Sequence, residues 1–272
     1  MRRTALLDLG RRAFLLVMLA FFLAPFLWLA TTAYKPSSEI FSIPPRLSFH
    51  PTLDQFRHAF QIFDIASLVE SSLLIAGGSV ALSLLLGVPA GYALARSTHP
   101  LALGVAYFFM AVRMIPAVAA LIPFYLMMRD WHLLGSWVSV VIINCMLNSA
   151  FVSWMMFSYF RSLPKELEEA ALTDGCHQLT AFTRVALPAV RSGVIASALF
   201  CLLFSWNDFL YPMFLTRLDS KPISVALLSA YGTKDITWGT LGALAHFSTI
   251  PIVLIVLFLN RYFVQGLSKG VH

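Results

Sequence analysis

Residues 133–160 read LLGSWVSVVIINCMLNSAFVSWMMFSYF and contain no charged side chain, whereas residues 161–192, RSLPKELEEAALTDGCHQLTAFTRVALPAVRS, form a compact charged stretch. An α-helix needs about 20 residues to cross the roughly 30 Å of hydrocarbon in a bilayer. The first stretch is therefore long enough to span a membrane. The second is too polar to follow it into lipid, which indicates a loop at the membrane surface.

The composition of the whole chain supports a membrane protein. Of 272 residues, 59% are hydrophobic and 12% are charged, and the mean hydropathy is +0.79. Soluble domains carry about 25% charged residues, so this chain has about half the usual share. Its apolar residues also lie in long runs, for which lipid is the natural solvent.

Six segments are predicted to be spanning helices, so the expected fold is an all-α membrane protein with six transmembrane helices. They cover residues 13–33, 69–95, 101–128, 133–160, 193–216 and 238–261. The first follows Arg11 and Arg12 and resembles a secretory signal, but its apolar stretch is too long and five more spans follow. We therefore expect an uncleaved first helix.

Charge predicts which side each loop faces. The net charge is +6, but no Lys/Arg run exceeds two residues, so nucleic-acid binding is not expected. With both termini in the cytoplasm, the inner side holds eleven cations: Arg2, Arg3, Arg11, Arg12, Arg96, Arg161, Lys165, Arg184, Arg191, Arg261 and Lys269. The outer side holds seven: Lys35, Arg46, Arg57, Arg129, Arg217, Lys221 and Lys234. This excess favours cytoplasmic N- and C-termini.

Two predicted loops are longer than a simple connection requires. Residues 34–68 lie outside and residues 161–192 lie inside. We accordingly divide the chain into an N-terminal part, 1–68, which holds the first helix and the outer loop, and a five-helix part, 69–272.

The inner loop is predicted to form a helix, a turn and a second helix on the membrane surface. Ser162 is a candidate N-cap, Pro164 suits a first helical turn, and the acidic residues that follow complement the positive helix N-terminus. Gly175 is the expected turn because glycine adopts left-handed geometry without strain. A second helix from about 177 to 186 is expected to end before Pro188.

This loop also carries a family resemblance. Glu169-Ala170-Ala171, then Asp174-Gly175, then Leu187-Pro188 resembles the EAA loop of bacterial ABC-importer permeases. Two further short segments, Met114-Ile115-Pro116 and Ser205-Trp206-Asn207-Asp208-Phe209, are similar to segments of the MalG-like permeases of carbohydrate importers. Cys176 departs from the family, which usually has alanine at this position.

The resemblance implies a type I ABC-importer transmembrane domain in which spans two to six form the core. It implies a homologous second permease, two ATPase subunits and an extracytoplasmic substrate-binding protein as partners, besides membrane lipid. ATP-Mg is then bound by the ATPase subunits, and this chain binds no cofactor. The chain has no phosphate-binding loop of its own, which agrees with that division.

The resemblance also assigns roles within the loop. Glu169 contacts the ATPase, Ala170 and Ala171 pack closely against it, and Gly175 makes the turn. The alternative is a surface helix whose acidic residues are only solvated.

Ionisable residues inside the membrane are the second candidate site, because they usually face a bundle interior or a water-filled path. Arg113 and Asp208 are expected either to pair or to line the path, unless Asp208 only anchors its helix at the outer interface. Trp206 and Asn207 offer the aromatic and amide chemistry that sugars require. Asn144 and Asn148 share one face of a helix and either bond neighbouring helices or line the path.

Other functional classes are less well supported. The histidines and cysteines lack metal-ligand spacing and no serine lies in a nucleophile elbow, so neither a metal site nor a catalytic site is expected. A secondary transporter driven by an ion gradient remains an alternative, although no inverted repeat is evident. A membrane scaffold or sensor would not need an EAA loop.

Overall fold

A computed structural model describes residues 2–46, 48–231 and 237–268, with side chains described for 10–46, 48–231 and 237–258. Two cations of the predicted charge balance, Lys234 and Lys269, lie outside the described residues. The side chains of Arg2, Arg3 and Arg261 lie outside them as well. The described part of the chain is helical and contains no β-strand.

Four continuous stretches are long and apolar enough to cross a membrane. They are Gly10–Thr32 in α1 (Arg2–Thr32), Ile65–Arg96 (α3), Trp137–Ser162 (α6) and Trp238–Phe258 in α13 (Trp238–Ser268). Two pairs of helices pass the same test together across a bend, Ala102–Val112 with Ala117–Asp130 and Gln178–Ala189 with Arg191–Trp206, which gives up to six spans within the described residues if each pair counts as one. The prediction of an all-α fold with six spans is confirmed.

The third span is broken, which the prediction of one helix over 101–128 missed. Helices α4 (Ala102–Val112) and α5 (Ala117–Asp130) meet at 94°. Pro116 lies at the break with φ −58° and ψ 124°. Proline has no amide to donate and disfavours helical geometry in the residue before it, so the helix ends and restarts here.

The fifth span is also interrupted, so the prediction of one helix over 193–216 was wrong. Helix α10 (Arg191–Trp206) ends three residues before α11 (Leu210–Leu215) begins. Pro212 cannot continue a helix from α10, because its ring would collide with the carbonyl four residues earlier. Asp208 Oδ1 accepts hydrogen bonds from the amides of Leu210 (3.1 Å) and Tyr211 (3.4 Å) and so starts the new helix.

The inner loop contains α7 (Glu166–Thr173), α8 (Gln178–Ala181), a π-helical turn over Phe182–Ala186 and α9 (Leu187–Ala189). The second helix was predicted to end before Pro188, but the chain stays helical through Ala189. In the π turn the amide of Leu187 donates to Phe182 O, five residues back. This wider turn makes room for the proline ring, which an α-helix would exclude.

The start of the inner loop also differs from the prediction. Ser162 is the last residue of α6 rather than an N-cap, and its hydroxyl donates to Tyr159 O at 2.8 Å. Lys165 immediately precedes α7, so Pro164 lies outside the first helical turn. Serine can bond back to a carbonyl of the preceding turn, and that local bond replaces the cap here.

Of the described residues, 66–226 and 250–268 form one compact unit. Its core consists of two clusters that share α6. One contains Ile75, Met128, Val140, Val141, Ile143, Tyr211 and Leu215, and the other contains Val88, Val152, Met156, Phe160, Ala186, Val190 and Cys201.

The described residues 2–46, 48–65, 227–231 and 237–249 form the other compact unit. It contains α2 (Asp54–Ile62), whose Ala59 packs with Ala33 and Ala243. Helix α12 (Ile223–Ala230) belongs to both units. The division of the chain at residue 68 stays a prediction.

Two glycines allow α3 and α6 to pack in close contact. A Cβ at Gly87 would lie 2.6 Å from Val152 Cβ, and one at Gly91 would lie 2.7 Å from Ser153 O. Small residues one turn apart are a common way to bring two membrane helices together, because lipid provides no hydrophobic drive between them. The α3–α6 pair therefore depends on the missing side chains.

We expect Gly91→Ala to destabilise the protein by about 1–3 kcal/mol, because the new methyl group would push α3 away from the α6 backbone. The matched control is Gly77→Ala in the same helix, where a Cβ would meet no atom within 4 Å. Thermal unfolding in detergent should show a lower Tm for Gly91→Ala and an unchanged or slightly higher Tm for Gly77→Ala. Equal behaviour of the two variants would contradict the packing described above.

Candidate functional site

The inner loop presents a short helix and a sharp turn. Helix α7 carries Glu166, Glu168 and Glu169 in its first turn, where carboxylates complement the helix dipole. The turn predicted at Gly175 is present, with φ +88°. The amide of Gly175 donates to Leu172 O at 3.0 Å, and the amide of Cys176 donates to Ala171 O at 3.1 Å. These bonds satisfy the last carbonyls of α7 and reverse the chain.

Glu168 fixes this helix to the membrane core. Its carboxylate accepts from Arg96 Nε at 3.0 Å and from Tyr92 Oη at 2.7 Å, both near the C-terminal end of α3. The Glu168 side chain is only 8% exposed and that of Arg96 only 14%. Arg96 also donates to Phe160 O (2.9 Å) and Leu163 O (3.3 Å) at the end of α6. One guanidinium therefore joins α3, α6 and α7; we call Tyr92, Arg96 and Glu168 the loop clasp.

The loop clasp keeps Glu168 ionised. Burial by itself would raise the pKa of Glu168, but hydrogen bonds from Arg96 and Tyr92 and the positive charge nearby outweigh it, so its pKa lies below the ordinary value. A carboxylate whose pKa is lowered on folding stabilises the folded state above its unfolded pKa. That stabilisation is lost as the pH falls through the lower, folded pKa.

The motif residues lie on the accessible side of the loop. Glu169, Ala170, Asp174 and Pro188 are exposed and Ala171 is half-buried. Leu187 is partly buried and packs against the core cluster that contains Val88 and Phe160. Three further leucines of the loop are exposed although nothing in the sequence analysis singled them out: Leu167, Leu172 and Leu179. Ala170 is exposed, as its expected role in packing against a partner requires, whereas Ala171 is partly covered by the chain itself.

The second candidate site is a cavity of about 590 Å³ inside the membrane domain. Both helix breaks open onto it: Arg113 and Ile115 come from the first, and Asn207 and Asp208 from the second. Asn144 adds an amide, and Phe124, Phe204 and Tyr211 add aromatic rings. The cavity therefore combines hydrogen-bonding groups with flat apolar faces.

Arg113 does not pair directly with Asp208. Its guanidinium donates to Asn148 Oδ1 at 3.0 Å and lies 3.8 Å from the ring centroid of Phe204. Asn148 in turn donates to Ser205 Oγ at 3.0 Å and is only 1% exposed. Asn148 is thus a link between helices. Of the two expectations for Arg113 and Asp208, the geometry agrees with a shared cavity wall.

Asp208 and Asn144 meet on the cavity wall. Asp208 Oδ1 accepts from the amides at the start of α11, and the side-chain amide of Asn144 lies beside the same carboxylate, where it can donate to it. Both residues line the cavity and together present one polar patch to it.

Of the two remaining candidate residues, Asn207 lines the cavity and Trp206 does not. Asn207 lines the cavity and donates to Leu203 O at 2.8 Å. Trp206 is 4% exposed and does not line the cavity, and its place as an aromatic wall is taken by Phe204 and Tyr211.

Comparison with known proteins decides the family. The family of binding-protein-dependent transport system inner membrane components matches residues 83–269. This chain belongs to that family. The probable ABC transporter permease y4oR of Sinorhizobium fredii is 32% identical over 249 residues, which cover 92% of this chain and 90% of that protein.

Other members of the family have named cargoes. The diacetylchitobiose uptake permease NgcG of Streptomyces coelicolor is 29% identical, covering 91% of this chain and 83% of that protein. The melibiose/raffinose/stachyose import permease MelC of Bacillus subtilis is 28% identical, covering 90% of each. The resemblance to carbohydrate ABC-importer permeases is confirmed. Because relatives are permease subunits, the prediction that the chain is not an enzyme is confirmed as well.

A solved bacterial ABC transporter that imports the polysaccharide alginate contains a chain with the same fold as the chain described here. One of its chains superposes with a TM-score of 0.79 at 20% identity and covers 97% of this chain and 98% of its own length. The likeness supports the fold of a type I ABC-importer membrane domain.

We expect Glu168→Gln to lower stability by about 1–3 kcal/mol, because Arg96 would keep its buried charge but lose the carboxylate that compensates it. The matched control is Glu169→Gln on the neighbouring, exposed position, with an effect within about 0.5 kcal/mol. Thermal unfolding of the two variants provides the comparison. The difference between wild type and Glu168→Gln should shrink as the pH falls below the ordinary 4.5 and through the lower folded pKa. An equal loss of stability in both variants would contradict the stabilising role of the loop clasp.

Proposed function

We propose that this chain is one permease subunit of an ATP-driven importer that moves a sugar, oligosaccharide or polyol into the cell across the cytoplasmic membrane. The single observation that carries the proposal is how the inner loop of this chain, which belongs to the transport family, is exposed and anchored. Its motif residues Glu169 and Ala170 are exposed, while the neighbouring Glu168 ties the same helix to the core. A helix fixed on one side and open on the other is suited to transmit motion from a partner.

The proposed partner at this loop is an ATPase subunit. Exposed Leu167, Leu172 and Leu179 would provide apolar contact, and Glu169 and Asp174 would provide polar contact at its edge. Interfaces commonly combine an apolar centre with a polar rim. Two such ATPase subunits, each with ATP-Mg, would serve this chain and a homologous second permease.

The proposed cargo class rests on the cavity and on relatives. Arg113, Asn144, Asn207 and Asp208 supply donors and acceptors for hydroxyl groups, and the rings of Phe204 and Tyr211 supply surfaces for the apolar face of a sugar ring. NgcG and MelC are named for oligosaccharide uptake. The alginate transporter has been solved with a periplasmic protein that carries an alginate pentasaccharide. By analogy, an extracytoplasmic binding protein would deliver the cargo here.

The proposed orientation places both termini and the inner loop in the cytoplasm. Cys176 offers a direct test because it is exposed beside the turn, whereas Cys145 and Cys201 are buried. We expect a membrane-impermeant maleimide to label inside-out vesicles and to leave intact cells unlabelled. Cys176→Ser should abolish the labelling, which identifies the reacting thiol. Labelling of intact cells at Cys176 would reverse the orientation.

The partnership is tested by affinity purification of the tagged chain from its native membrane. We expect wild type to recover a second permease and an ATPase with a phosphate-binding loop. Gly175→Arg should lose the ATPase while remaining in the membrane, because a residue with a Cβ is strained by about 1–2 kcal/mol at φ +88° and a charged side chain would disturb the contact.

The matched control is Gly175→Asn, since asparagine tolerates left-handed geometry and adds no charge. It should retain the ATPase. Recovery of the chain without any ATPase even from wild type would instead favour a transporter driven by an ion gradient. Uptake against an imposed proton or sodium gradient would then be measured.

A further inference from the structure

A second cavity, of about 410 Å³, lies at the inner end of the membrane domain. It is bordered by the last turn of α3, the first turn of α4 and the last turn of α6. Its polar wall consists of Arg96, His99, Arg161 and Lys165, and its apolar wall includes Leu94 and Phe157. It shares no lining residue with the cavity of about 590 Å³ that contains Asp208.

The cavity carries positive charge that forms no direct ion pair. Arg96 is compensated by Glu168 in the loop clasp. Arg161 and Lys165 are both exposed, and neither forms an ion pair among the described side chains. Lys165 lies close enough to Glu168 to interact with its charge, whereas the exposed acids Glu166 and Glu169 do not line the cavity. Two cations without a direct ion pair therefore face one opening.

The height of the cavity matches a membrane surface. The spanning helix α3 ends at Arg96, and the next span begins at Ala102, so the cavity lies where hydrocarbon meets head groups. The Arg161 guanidinium lies 5.6 Å from the ring centroid of Phe157, which holds it at the boundary between the polar and apolar walls.

We propose that this cavity binds the phosphate group of an anionic phospholipid from the adjacent leaflet. Arg161 and Lys165 contact the phosphate, and an acyl chain lies along the wall formed by Leu94 and Leu103. Basic pockets between membrane helices are suited to anionic head groups, because the positive side chains attract the negative phosphate and the pocket lies at the depth of the head groups. The apolar wall distinguishes a lipid from a free phosphate ion, which needs no such surface. The proposal does not depend on which cargo the chain carries.

The test is native mass spectrometry of the full chain, with the subunits that purify with it, after incubation with phosphatidylglycerol or with phosphatidylcholine of identical acyl chains. We expect wild type to retain more phosphatidylglycerol. The double variant Arg161→Gln/Lys165→Gln should retain it roughly thirtyfold less, since each cation near an anionic lipid contributes about 1 kcal/mol and each 1.4 kcal/mol is about tenfold. Lys165→Gln alone should show an intermediate loss, which covers the case that the double variant does not fold.

The matched control is Arg184→Gln/Arg191→Gln, which removes the same charge from two exposed residues that do not line the cavity. It should retain phosphatidylglycerol as wild type does. An equal loss in the control would assign the preference to the general field of the surface and overturn the site. No preference for phosphatidylglycerol in wild type would also overturn it. Displacement of the bound lipid by an equal concentration of inorganic phosphate would overturn the lipid assignment in favour of a soluble anion.

Discussion

In the hydrocarbon core of a bilayer there is no water to form hydrogen bonds with the backbone, so each spanning segment has to satisfy its amides and carbonyls within the protein. This constraint explains where the chain departs from helix. The breaks before Pro116 and before Leu210 both face the cavity that contains Asn144, where free polar groups are tolerated. At the second break Asp208 supplies an acceptor to two amides. Irregular backbone and ligand chemistry therefore occupy the same place.

The inner loop shows how neighbouring residues of like charge serve different ends. Glu168 turns inward to the loop clasp, and Glu169 turns outward to the surface. The helical angle of about 100° between successive residues is enough to separate the two directions. Arg96 adds the end of α6 to the same joint through backbone carbonyls. A partner that moves α7 would consequently act on two spanning helices together.

Much of this arrangement is predictable from sequence, for reasons that the individual residues make clear. Long apolar runs identify the six spans, and the EAA motif identifies the loop and the turn at Gly175. Each of these features depends on residues that are close together in the sequence. The loop clasp was missed because 72 residues separate Arg96 from Glu168 and no spacing rule connects them. The helix breaks were missed because Pro116 and Pro212 resemble the prolines that spans tolerate, such as Pro89 inside α3. Trp206 is absent from the cavity wall because it lies on a different face of the chain from Leu203, Phe204 and Asn207, which line the cavity.

Helix α6 links the two candidate sites mechanically. Asn144 and Asn148 lie on its cavity end, and Phe160, whose carbonyl holds Arg96, lies on its loop end. The 16 residues from Asn144 to Phe160 correspond to a rod of about 24 Å, and a tilt of roughly five degrees at one end displaces the other by about 2 Å. Such a displacement exceeds the tolerance of the hydrogen bonds that Asn148 makes to Arg113 and Ser205. The helix is therefore a lever whose small rotation at the membrane surface would rearrange the polar wall deep inside.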